Sequence, residues 1–267
     1  MSNGFNLFLS AFCTFSAVVL AAIACVGSTA NYNPINKIFV AQLDLRNIQI
    51  PNVFPSSGAP SSSISQLGLP DYFNIGLWSY CSQASNGTVM SCTKPSGIQN
   101  FDLRTMLFDN INNNQVAQLV DNLADIILPE DLQNRMAMYN NVVKTTFITI
   151  LIGICVSFLA LIVNLIRWII HARFVNWIGR FSSFIGFLSL LISGATSLGC
   201  YLYVRRLLNQ NYGDTGIRLS VGSVFQGIMW GSIFSALLGF ILWCSVRSQR
   251  SVAYVSRVPM EEKPLIV

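Results

Sequence analysis

The sequence predicts a membrane α protein: four transmembrane helices, with a small extracellular antiparallel β-sheet and an amphipathic helix in a long first outer loop. Three observations point to it. The 267 residues are 52% hydrophobic and only 10% charged, with mean hydropathy +0.53, whereas a soluble domain carries about 25% charged side chains. Four long runs contain no charged side chain. The first two runs are separated by a polar segment with strand-like stretches, two cysteines and an Asn-Gly turn.

The first run extends from Met1 to Asn36, with its apolar heart at Leu7 to Val26. Ser28-Thr29-Ala30 offers a small-residue cleavage site, but the apolar core is longer than that of a signal peptide and no basic region precedes it. An uncleaved first span, residues 1–30, is expected. The later runs are Thr145 to Ile166, Phe181 to Val204 and Leu219 to Val246, each flanked by basic residues. All exceed the ~20 residues that cross ~30 Å of hydrocarbon. In lipid they must be helical, because no water satisfies the backbone there. Residues 144–166, 181–204 and 219–246 are therefore the second to fourth spans, joined by 167–180 and 205–218 and followed by a tail, 247–267.

Lysine and arginine set the orientation. Arg167, Arg173, Arg180, Arg247, Arg250, Arg257 and Lys263 flank one side, seven against the three of Arg205, Arg206 and Arg218. Both termini are expected in the cytosol and residues 31–143 outside. The net charge of +5 is thus explained by topology, not by nucleic-acid binding.

Within the outer segment, Lys37 to Leu45, Tyr72 to Ser82 and Thr88 to Lys94 read as strands. The last two meet at Asn86-Gly87, a strong hairpin signal. Pro51 to Pro70, rich in Ser, Pro and Gly, reads as a loop. Val116, Leu119, Val120, Leu123, Ile126 and Ile127 recur at helical spacing and stop near Pro129. Asp121 and Asp125 make this helix acidic, which favours a lid over the sheet rather than a membrane-surface helix. Glu130 to Lys144 is expected to continue as helix into the second span.

Cys81 and Cys92 are the cysteines of the outer segment. An isolated pair flanking a hairpin in an oxidising compartment predicts a disulfide. Cys13, Cys25, Cys155, Cys200 and Cys244 lie in or at the ends of spans, where free Cys behaves as a small apolar residue. Cys244, beside the basic tail, is also a candidate for S-palmitoylation. Asn86-Gly87-Thr88 is the sole Asn-x-Ser/Thr sequon, so Asn86 is the candidate for an N-linked sugar.

In the fourth span, Gly227, Gly231, Ser235 and Gly239 recur every four residues, as do Ser189, Ser193 and Ser197 in the third. Small residues at this spacing let helices approach closely. Packing within one chain is the first expectation, and a homo-oligomer seam the alternative. Trp168, Trp177, Tyr201, Tyr203 and Trp243 lie near span ends, as interfacial anchors do. Asn164 and Gln226, polar residues inside spans, are expected to hydrogen-bond between helices.

No nucleophile elbow, zinc-protease motif or phosphate loop is present, and the acidic residues of the outer segment form no recognisable dyad. His171 is the lone histidine. The reading is therefore non-enzymatic, with no cofactor and no metal. The span cores carry no ionisable residue, which argues against a transporter.

Gly76-Leu77-Trp78 followed by Cys81 and Cys92, inside four spans with a long first outer loop, resembles the claudin-like superfamily. The resemblance implies a left-handed four-helix bundle on which the extracellular sheet stands, with Gly-Leu-Trp and the cysteine pair in that sheet. The length of the outer loop, its Ser/Pro-rich insert and its amphipathic helix are similar to the fungal Sur/PalI family of eisosome-associated four-span proteins, with the pheromone-induced fusion proteins as cousins. Animal claudins carry a further Trp upstream, whereas Trp78 is the first here, which argues against a tight-junction barrier. The short tail argues against the pH-signalling role of PalI members. What the resemblance implies is a plasma-membrane organiser of eisosome type, supporting membrane domains, cell-wall integrity, stress response or sporulation. The alternative is a regulator of calcium influx or membrane fusion during mating. Membrane lipids and other membrane-domain or cell-wall proteins are the implied partners.

Overall fold

A computed structural model describes residues 3–46, 70–95, 130–170, 173–212 and 218–246. Most of each charge-free run is helical: α1 Asn3–Val26, α2 Glu130–Ile169, α3 Arg173–Tyr212 and α4 Ser223–Ser245. Each contains a stretch long and apolar enough to cross a bilayer, and 33% of each stretch is buried inside the protein. Most of every span thus faces outward, including Phe5, Phe8, Phe12 and Phe15 of α1. Lipid is the environment in which that apolar surface costs nothing.

The buried residues of each helix recur at three and four positions and so form one stripe. In α4 these are Phe225, Met229, Ser232, Ile233, Ala236, Gly239 and Trp243. In α1 they are Leu7, Ser10, Thr14, Ala17 and Ala21. The two stripes meet: Ser232 Oγ donates to the Ala17 carbonyl at 2.8 Å, and Ser10 Oγ to the Gly239 carbonyl at 2.9 Å. Likewise α2 meets α3, where Ser193 Oγ donates to the Thr146 carbonyl at 3.0 Å. The helices α1–α2 and α3–α4 also touch, which closes a four-helix bundle.

Five antiparallel strands stand on one end of it. They are β1 Ala41–Asp44, β2 Tyr72–Ile75, β3 Tyr80–Gln83, β4 Val89–Cys92 and β5 Arg218–Val221, in the order β4-β3-β2-β1-β5. One face buries Leu43, Phe73, Ile75, Tyr80 and Leu219, with Phe73 and Tyr80 edge to face at 6.0 Å. This face joins one core with Ala21, Phe147, Leu190, Tyr201 and Phe225 of the helices. A second core of Leu7, Trp243 and Val246 lies at the far end, where the start of α1 meets the end of α4.

Several expectations need correcting. The stretch Tyr72 to Ser82 is two strands, because Gly76 to Ser79 turns the chain back. The strand expected from Lys37 begins at Ala41, after a single 3-10 turn, Ile35–Lys37. The connection 167–180 is mostly helix, with α2 ending at Ile169 and α3 starting at Arg173. Residues 205–218 are not simply a loop, since α3 runs to Tyr212. The fourth span starts at Ser223, not residue 219, because Leu219 to Val221 belong to β5 and pair with β1. Absence of charge marks burial in lipid and burial in protein alike, so the run alone could not separate strand from span. The amphipathic helix at Val116 to Ile127, the Ser/Pro-rich stretch and the tail lie outside the described residues.

Candidate functional site

The Gly-Leu-Trp turn is seated on the end of α1. α1 ends at Val26, and Ser28 takes a left-handed backbone, φ 58°. Its N–H donates to the Ile35 carbonyl at 3.1 Å and its Oγ to the Ile38 carbonyl at 3.0 Å. Its own carbonyl accepts a 2.5 Å hydrogen bond from Ser79 Oγ and lies 3.3 Å from Cys81 Sγ. Gly76 is the close approach: a Cβ there would sit 2.6 Å from the Gly27 carbonyl oxygen. Gly76 N–H closes the turn on the Ser79 carbonyl at 2.9 Å.

Leu77 is buried and Trp78 half-buried. The Trp78 ring stands edge to face on Phe147 of α2 at 5.3 Å, so the turn ties the sheet to two helices. Its Nε1 is buried beside the Cys25 side chain of α1.

Cys81 and Cys92 are joined by a disulfide and lie directly opposite each other on β3 and β4. The hairpin beyond them closes through Ala84 N–H to the Thr88 carbonyl, with Gly87 at φ +83°, a conformation glycine adopts without cost. Asn86 is exposed at its tip. Its Oδ1 accepts from Thr88 N–H at 3.0 Å and Thr88 Oγ1 at 2.6 Å, which leaves the amide nitrogen toward solvent.

On the other face of the sheet, amides form a ladder. Gln42 Nε2 donates to Asn74 Oδ1 at 2.8 Å, and Asn74 Nδ2 donates to Gln83 Oε1 at 3.1 Å. Beside it, Arg46 pairs with Asp44 at 2.9 Å and lies 4.5 Å over the Tyr72 ring. Burial alone would raise the Asp44 carboxyl, but hydrogen bonds from Arg46 and the charges of Arg46 and Arg218 outweigh it and hold the pKa below its ordinary value. Asp71 is buried, and its Oδ2 accepts from Ser85 N–H at 2.7 Å.

The four small residues of the α4 row differ in burial. Gly239 is buried, with room for a Cβ only 2.9 Å from Thr14 Oγ1. Gly231 and Ser235 are half-buried, and Gly227 is exposed with open space around it. A four-residue repeat advances about 40° per step on a helix of 3.6 residues per turn, so the row drifts off the seam that Ser232, Ala236 and Gly239 follow. Trp243 and Tyr201 are internal, not interfacial anchors, at 0% and 4% exposure. Trp243 Nε1 donates to the Asn176 carbonyl at 3.1 Å. The amides of Asn164 and Gln226 make no hydrogen bond among the described residues, contrary to expectation. Cys244 is exposed at the end of α4, where Arg180 reaches its carbonyl at 3.3 Å.

Sequence reasoning missed Ser28, Ser79 and β5. Ser28 and Ser79 carry no short-range signal, since their partner is set by the tertiary fold. Gly222 was the available signal for β5. It is the N-cap of α4, and a Cβ there would collide with the Phe39 carbonyl.

Two proteins of Saccharomyces cerevisiae are similar to the chain in sequence. The chain is 51% identical over 266 residues to Protein PUN1 of Saccharomyces cerevisiae, spanning 100% of both chains. It is 20% identical over 255 residues to protein YKL187C of the same yeast, covering 91% of this chain and 33% of that one. Residues 6–242 match the SUR7/PalI family, from the first turns of α1 to the last of α4, and on that match the chain belongs to the SUR7/PalI family.

Proposed function

We propose that this multi-pass protein is a non-enzymatic organiser of plasma-membrane domains, of eisosome type, with both termini in the cytosol and the sheet outside. One observation carries the reading. The sheet takes strands from both ends of the membrane frame, β1 after α1 and β5 before α4, and is seated on α1 through Ser28 and Gly76. Such a platform is rigid with respect to the bilayer. Its polar face, with Gln42, Asp44, Arg46 and Gln83, is suited to wall polymers or a neighbouring protein, while the outward faces of the helices meet lipid or a second copy. The seven-to-three excess of basic residues in the connection 167–180 and the tail over the connection 205–218 supports the orientation. Support of cell-wall integrity, stress response or sporulation follows from that role. Asn86, exposed on the same side, would carry a sugar, and a mobility shift on enzymatic deglycosylation reads it.

The test is imaging of the tagged protein in living cells beside a membrane-domain marker. Stable surface patches that coincide with the marker are expected. Uniform signal in internal membranes would overturn the reading. Synthesis only on pheromone treatment, with reduced calcium uptake on deletion, would replace it with a mating role.

A further inference from the structure

The end of the bundle opposite the sheet contains polar groups that no described residue satisfies. Asn164 is 0% exposed, yet neither Oδ1 nor Nδ2 has a hydrogen-bond partner among the described residues. Three residues on, and so on the same face of α2, Arg167 is only 6% exposed. Among the described residues its hydrogen bond is a long 3.4 Å contact from Nη1 to the Ile170 carbonyl. Among the described residues the ion pair found is Arg46–Asp44, at the other end of the molecule.

The facing helix repeats the pattern. A Cβ on Gly153 would meet Leu190, and one on Gly186 would meet Ser157. Continued along these antiparallel helices, that register brings Arg167 level with Asn176 and Asn164 level with Gly179. Asn176 is 5% exposed, and its Oδ1 has no partner among the described residues. The roof over this level is Trp243, whose ring fills the space at Gly179 and whose Nε1 is committed to the Asn176 carbonyl. A guanidinium withdrawn from water without a counter-charge is costly. Buried amides without partners add to that cost. An anion bearing several acceptor oxygens removes the cost at Arg167, and the guanidinium fork matches a phosphate.

The level is also informative. Exposed Trp168 and Trp177 lie on the same turns of α2 and α3, where indole rings sit at the height of lipid headgroups. We propose that Arg167, with Asn164 and Asn176 beside it, binds the phosphate of an anionic phospholipid in the leaflet away from the sheet. The inference rests on the bundle spanning a bilayer and not on the wall-facing reading of the sheet, so the two fail separately.

The test uses the full chain, purified in detergent, with retained lipid read by native mass spectrometry from equimolar phosphatidylserine and phosphatidylcholine. A preference of about fivefold for phosphatidylserine is expected, the order set by one well-placed arginine. Arg167→Met should bring the ratio to parity, and Asn164→Leu should lower it. Arg167→Lys, which keeps the charge and loses the fork, should retain a reduced preference and guards against a variant that fails to fold. An unchanged ratio in Arg167→Met or Arg167→Lys overturns the proposal. So does displacement of phosphatidylserine by millimolar inorganic phosphate, which would make the site one for a free anion. The remaining rival is the acidic pair Glu261 and Glu262 of the tail. Loss of the preference in a Glu261→Gln, Glu262→Gln variant would assign the counter-charge to the tail and also overturn it.

Discussion

Ser79 donates its hydroxyl to the carbonyl of Ser28 across 51 positions of sequence, at 2.5 Å. The bond joins the Gly-Leu-Trp turn to the end of the first span, and both residues are 0% exposed. Ser79→Ala would leave the Ser28 carbonyl short of a partner in a buried site, at about 1–3 kcal/mol. Gly76→Ala forces a methyl against the Gly27 carbonyl, a backbone neighbour that cannot swing away, and overpacking of this kind costs about 1–3 kcal/mol. Both variants should lower the thermal midpoint of the purified protein and reduce its export. A Gly76→Ala protein as stable as the parent would show that the seat is not tight.

The disulfide predicts a specific pattern of loss. Cys81 and Cys92 close a short loop between adjacent strands, and a bond of this kind adds about 2–3 kcal/mol. Cys81→Ser and Cys92→Ser should give equal losses of stability, and the double variant should be no worse than either, because both single changes abolish the same bond. Additive losses in chemical denaturation would assign the two sulfurs separate roles. Trp78→Ala should act in the same direction, since it removes the ring packed on Phe147 and large-to-small aromatic changes cost about 3–5 kcal/mol.

The Asp44–Arg46 pair makes the sheet sensitive to acid. The Asp44 carboxyl is held below its ordinary value in the folded protein. Its contribution to stability is therefore complete above the unfolded pKa of about 3.9 and is lost as pH falls through the lower folded value. Neutral and mildly acidic pH should leave the sheet unaffected. Unfolding measured from pH 5 downward should show less acid destabilisation in Asp44→Asn than in the parent. Parallel pH profiles would remove Asp44 from the account.

These relationships differ in how far local sequence reveals them. The spans follow from composition, because lipid imposes one secondary structure on any long apolar run. The hairpin follows from Asn86-Gly87 and the cysteines, whose chemistry is local. β5 does not, since Leu219 and Val221 are apolar for burial under a sheet, and their run is continuous with α4. Nor does the inward place of Trp243, because an aromatic at a span end satisfies an interfacial anchor and a core plug equally. Gly179, whose missing side chain makes room for the indole, is the partner that decides between them, and it lies on another helix.

The same dependence on a partner helix separates the glycines of α4. A side chain at position 239 would press on Thr14 and displace the Ser10 hydroxyl from the Gly239 carbonyl. Gly239→Leu should therefore separate α1 from α4 and cost about 1–3 kcal/mol. At position 227 nothing lies within 4 Å of an added Cβ, and Gly227→Leu should fold with the stability of the parent. Size-exclusion chromatography of the purified Gly227→Leu protein adds a second readout. If small residues on this outward side formed a seam with a second copy, leucine at 227 would shift the protein to a smaller species without changing its midpoint. An unchanged elution volume is expected, because the face that α4 buries runs through Ser232, Ala236 and Gly239 and is already filled by α1.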